Sequence, residues 1–118
     1  MDMRNISRHI RVGHSPDPDD AFMFHALTTG AIDTGERTYE HILLDIQTLN
    51  EKAKKCEFEI SAVSIHSYPE IAENYALMNC GASMGEGYGP MLISNKKITV
   101  DDAKNMKIAI PGLGTSAY

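Results

Sequence analysis

The stretch HIRVGHSPDPDDAFMFHAL, residues 9–27, decides the fold. It opens as a strand over residues 9–15, HIRVGHS, where Ile10 and Val12 alternate with Arg11 in the two-residue period of a half-buried strand. Pro16 and Pro18 then end any ladder, because proline has no amide proton and fixes its own φ. A helix follows over residues 19–30, DDAFMFHALTTG. Asp19 or Asp20 is expected to cap it, since a carboxylate accepts orphan amide protons and suits the positive end of the helix dipole. Phe22, Phe24 and Leu27 are expected to be buried, with Gly30 closing the helix.

The rest of the chain repeats this alternation. HILLDIQ (41–47) reads as a second strand and TLNEKAKKCEFE (48–59) as a helix, with Leu49, Ala53 and Cys56 on one face. EISAVSIHS (59–67) reads as a third strand, followed by a short helix over YPEIAENY (68–75) with Pro69 in its first turn. YALMNCGAS (75–83) and GPMLISN (89–95) are strand candidates around a glycine cluster. In ITVDDAKNM (98–106) Thr99 and Asp102 have the spacing of a capping box, and KIAIPG (107–112) reads as a last strand. Strand and helix at this spacing make an α/β fold with a mainly parallel sheet and right-handed crossovers.

Composition excludes several functions. The chain has 118 residues, 42% hydrophobic and 23% charged, enough for one core of ordinary size. Its formal charge of −5 leaves no electrostatic footprint for nucleic acid or anionic lipid. Cys56 and Cys80 stand far apart without a CxxC partner, so neither a metal ribbon nor a disulfide framework is expected. A reducing compartment, the cytoplasm, fits this usage. The polar N-terminus lacks a secretory leader, and no apolar run approaches the ~20 residues that span a bilayer.

In open α/β sheets, ligands bind at the carboxyl ends of parallel strands, near helix N-termini. Four segments fall there: HSPDPDD, QTLN, SIHS and PGLGTSA. Together they predict a polar cleft for a carboxylate or a polyhydroxylated ring. The aspartates of the first segment read as a structural helix start, because two prolines and the lack of the calcium-loop Gly and Glu argue against a metal site. His66 reads as a hydrogen-bonding residue of the strand end. GEGYGP lacks the lysine of a phosphate loop and reads as a turn. In PGLGTSA, Gly112 and Gly114 relax the backbone while Thr115 and Ser116 offer hydroxyls and amides, where either anion binding or a plain cap can result.

Taken together, GHSPDPDDAFMFHAL, DIQTLNEKA, AVSIHSYPEI, GEGYGPMLIS and KIAIPGLGTSAY resemble, in order and spacing, the N-terminal part of the 1,4-dihydroxy-6-naphthoate synthase family of menaquinone biosynthesis by the futalosine route. Asp17, Asp19 and Ala21 stand where the family usually has cysteine, asparagine and threonine, which makes this loop more acidic. The lysine often found at the position of Ala62 is missing. The resemblance implies a two-lobed fold of the periplasmic-binding-protein type II kind. Residues 1–93 would form the first α/β lobe and 94–118 the start of the second.

The same resemblance implies a carbon–carbon lyase that converts cyclic dehypoxanthinyl futalosine to 1,4-dihydroxy-6-naphthoate without metal or organic cofactor. Its partner would be this small-molecule substrate, with no nucleic acid and no membrane. Ala62, Val63, Ser64, Thr115, Ser116 and Asn50 are the implied substrate-binding residues. The family's catalytic histidine falls beyond Tyr118, and His14, His25, His41 and His66 do not match it, so this chain is expected to be inactive alone. Chorismate dehydratase of the same pathway and a non-catalytic solute-binding protein are the alternatives.

Overall fold

The structure is a computed structural model that describes residues 9–118. Its centre is a three-stranded, all-parallel sheet in the order β2-β1-β3, formed by β1 (His9–His14), β2 (Thr38–Leu43) and β3 (Ile60–Ser61). α1 (Pro18–Thr28) connects β1 to β2, and α2 (Ile46–Lys54) connects β2 to β3. The α/β class and parallel pairing read from the sequence are therefore present. Because β1 lies between its two successors, strand order reverses at β1, the arrangement that opens a crevice beyond the strand ends.

The alternation along β1 sets the two layers. Gly13 faces α2: a Cβ built there would lie 2.8 Å from both Leu49 and Phe58 side-chain carbons. Val12 and His14 point to the opposite face, where the His14 ring stacks on Phe24 of α1 at 4.4 Å. Val12, Leu49, Ala53, Phe58 and Ile71 are the buried apolar residues around this sheet. The short β3 is reinforced by Arg11, whose amide and guanidinium all donate to Glu59 at 2.7–3.0 Å. These bonds hold the Glu59 carboxyl down to about 2.

Several boundaries differ from the sequence reading. Asp17 holds the N-cap position of α1, with Pro18 in the first turn, and makes no side-chain cap bond; neither Asp19 nor Asp20 is the cap residue. Asp20 instead reaches back to accept from the Ser15 amide at 2.7 Å. Asp20, Met23, Phe24 and Leu27 form the half-buried stripe of α1 at helical spacing, and Phe22 lies off it, 88% exposed. β2 begins earlier than expected, at Thr38, and ends at Leu43, before Asp45, which caps α2 and accepts from the Thr48 amide at 3.0 Å. Cys56 is exposed, beyond the end of α2 and at φ 54°, so it leaves the Leu49–Ala53 face.

β3 spans only Ile60–Ser61, and Ile65–Glu70 forms a 3-10 helix with Pro69 inside it. Residues 75–83, 89–95 and 107–112 form no strand among the described residues. Leu92, Ile93, Ile108 and Ile110 are exposed there, without the neighbouring strand whose hydrogen bonds an extended segment requires. The expected capping box is present: α3 (Val100–Ala103) starts at Thr99, whose hydroxyl accepts from the Asp102 amide while Asp102 accepts from the Thr99 amide at 2.8 Å.

Gly13→Ala tests the packing of the sheet on α2. The added methyl meets a buried leucine and a buried ring, and overpacking of this kind costs about 1–3 kcal/mol. Urea unfolding should show a lower midpoint, and an unchanged midpoint would mean that α2 does not lie this close to β1.

Candidate functional site

Three of the four strand-end segments meet in one cluster. Gln47 and Asn50 lie one turn apart on α2 and present side chains to the same place. The Asn50 Oδ1 accepts from the Ser64 amide at 2.9 Å, while its Nδ2 donates to the Ser64 hydroxyl at 3.2 Å and to the Gly114 carbonyl at 3.0 Å. The Gly114 amide donates to Gln47 Oε1 at 2.9 Å, and the Ser67 hydroxyl donates to the Gly114 carbonyl. Ser116 Oγ lies 3.4 Å from the His66 amide.

The expected binding residues occupy distinct places in this cluster. Ala62 carries the last ladder bond of the β3 edge, its amide donating to the Gly13 carbonyl at 2.8 Å. Val63 and Ser64 follow it, half-buried. Thr115 is 4% exposed and turns its hydroxyl inward to the Gly112 carbonyl at 2.9 Å, whereas Ser116 is exposed. Asn50 is fully buried. Gln47 and Ser67, which the sequence reading did not single out, complete the cluster. The sign that could have found Gln47 is the Gly-x-Gly at 112–114, since paired glycines mark a close approach by another group. Gly112 has φ 141°, and a Cβ there would overlap the Gln47 side chain.

The fourth segment folds on itself beside the cluster. The Ser15 hydroxyl accepts from the Asp17 amide at 3.2 Å. A hydrogen bond from Ser83 holds the Asp19 carboxyl below the usual carboxylate range. Among the described residues, no three His, Cys, Asp or Glu side chains gather in a way that could hold a metal ion.

Buried His14 and half-buried His41 form a pair behind this loop. A carbonyl only accepts, so His14 Nδ1 donates to the Ser15 carbonyl at 3.0 Å, and its Nε2 in the neutral ring accepts from His41 Nδ1 at 3.0 Å. His41 Nε2 is then a buried lone pair without a donor. Burial and, after it, the neighbouring His14 push the His41 pKa below its ordinary value.

Residues 10–118 match a family model described as menaquinone biosynthesis. The chain belongs to this menaquinone-biosynthesis family. It is 29% identical over 109 residues to 1,4-dihydroxy-6-naphtoate synthase of Thermus thermophilus and 28% identical over 109 residues to the enzyme of that name from Streptomyces coelicolor. Both alignments cover 92% of this chain, and the chain spans 39% and 38% of those relatives. The crystal structure of protein AF1704 from Archaeoglobus fulgidus superposes with a TM-score of 0.66 at 49% identity, covering 70% of this chain and 31% of that one. Among the described residues of this family member, no helix is long and apolar enough to cross a membrane.

Two outcomes test the geometry. Gly112→Ala should expel the 112–116 turn from Gln47 and lower the melting temperature, and an unchanged melt would remove the close approach. Acid should act through His41. Its folded pKa is depressed, so the unfolded chain takes up the proton first. Its stabilisation is complete above the ordinary histidine value and is lost as pH falls below it. The melting temperature should therefore drop as pH falls through and below the ordinary histidine value of about 6.5, less steeply in His41→Gln, and equal slopes would contradict the pairing of His14 with His41.

Proposed function

We propose that this chain is the substrate-binding N-terminal portion of a 1,4-dihydroxy-6-naphthoate synthase, a carbon–carbon lyase that acts on cyclic dehypoxanthinyl futalosine. The observation that carries the reading is the meeting of Ser64 and the Gly112–Ser116 turn at the strand ends beside β1, where strand order reverses. Membership of the menaquinone-biosynthesis family and the likeness to two curated synthases support it.

In this reading residues 1–93 belong to the first lobe of a periplasmic-binding-protein-like type II fold and 94–118 begin the second. Ala62, Val63 and Ser64 supply one part of the binding surface. Ser116 supplies another through its exposed hydroxyl, and Thr115 shapes the turn. A neutral serine hydroxyl and strand-end backbone suit the oxygen-rich groups of a nucleoside-derived substrate without repelling its carboxylate. Proton abstraction belongs to a histidine after Tyr118, so the share of the present residues is to bind and orient. The protein is cytoplasmic in this account.

The test is turnover by a full-length protein that carries this chain. Cyclic dehypoxanthinyl futalosine should yield 1,4-dihydroxy-6-naphthoate, detected by mass spectrometry, and Ser64→Ala should weaken substrate binding by about 0.5–1.5 kcal/mol, the worth of one neutral hydrogen bond. Failure to form that product from authentic substrate would refute the reading.

A further inference from the structure

Gln47 and Asn50 grip both backbone groups of a single residue from the same helix. The Gly114 amide donates to Gln47 Oε1 at 2.9 Å, and the Gly114 carbonyl accepts from Asn50 Nδ2 at 3.0 Å. The orientation of Gln47 is itself fixed, because its Nε2 donates to Glu51 Oε1 at 2.9 Å and so turns Oε1 toward Gly114. At its other end Asn50 accepts from the Ser64 amide at 2.9 Å. One side-chain amide therefore joins the end of the sheet to a turn 64 positions beyond Asn50 itself. Asn50 is 0% exposed, so it has no surface with which to touch a ligand. Buried amides of this kind define a geometry because any other arrangement leaves a polar group unpaired.

We propose that Asn50 and Gln47 are positioning residues: they clamp the Gly112–Ser116 turn onto the end of β3 and hold Ser64 and the Ser116 hydroxyl as one rigid binding surface. This moves Asn50 from the substrate contacts implied by resemblance to the residues behind them, and it adds Gln47. The proposal rests on the reading that substrate binds at this cluster. A surface that is assembled before substrate arrives loses less freedom on binding, so loosening the clamp should be read in KM more than in kcat.

The test uses a full-length protein that carries this chain and two readouts. The first, without substrate, is hydrogen exchange at the Gly114 amide. The second is KM and kcat with cyclic dehypoxanthinyl futalosine. Asn50→Asp keeps the acceptor for Ser64 but replaces the donor to Gly114, and Gln47→Met, at a half-buried helix position, removes the acceptor without altering the buried amide. Both variants should exchange Gly114 about tenfold faster or more and raise KM about tenfold with kcat little changed. Exchange or KM at parental values in Gln47→Met would overturn the clamp. If the parent itself does not turn over the substrate, the functional reading falls, and the exchange measurement alone decides whether the clamp exists.

Discussion

The side-chain amide of Asn50 is the interaction on which the arrangement at the strand ends depends. Parallel pairing of β3 with β1 lasts for two residues and ends with the Ala62 amide on the Gly13 carbonyl. The next amide in the same direction, that of Ser64, goes to Asn50 instead. The backbone is thereby drawn out of the sheet toward α2, and the 3-10 helix at Ile65–Glu70 starts directly after it. A side chain that competes successfully with a ladder bond ends a strand, and here the same side chain also receives the Gly112–Ser116 turn.

That placement requires α2 to lie close to the sheet, which in turn requires Gly13. Leu49 and Phe58 occupy the space a side chain at position 13 would fill, so the helix that carries Gln47 and Asn50 settles directly on the central strand. On the other face, His14 and His41 take the place of an apolar layer against Phe24. Their chain of hydrogen bonds ends on the Ser15 carbonyl, and Asp20 takes the Ser15 amide. The loop after β1 is thus held by both backbone groups of one residue, much as the loop at Gly114 is. The fold places rigid backbone at two strand ends by spending buried polar side chains on them.

The α/β class, the parallel sheet, the Thr99–Asp102 capping box and the segments that follow the first three strands were legible because each rests on local spacing. The α1 stripe was misread where Phe22 was judged by its hydrophobicity and not by its position relative to Asp20, Met23, Phe24 and Leu27. β3 was drawn too long because EISAVSIHS has strand composition throughout, and nothing local announces that Ser64 will pair with a residue of the preceding helix. Met91, Leu92, Ile93, Ile108 and Ile110 carry strand propensity without strand pairing, since a strand is defined by a neighbour that propensity cannot supply. At the site, Ser64 was visible as a polar residue at a strand end and Ser116 as a hydroxyl in a glycine-rich turn. That Thr115 faces inward and Asn50 is buried depends on contacts between segments far apart in sequence.

The measurement closest to the central claim is a crystal structure of a full-length protein carrying this chain with 1,4-dihydroxy-6-naphthoate bound. The account predicts the product against the Ala62–Ser64 strand end and the Ser116 hydroxyl, with Asn50 behind them still bonded to Ser64 and Gly114 and making no contact with the ligand. A product seated elsewhere, or one that takes the Asn50 amide as a direct partner in place of Gly114, would contradict it.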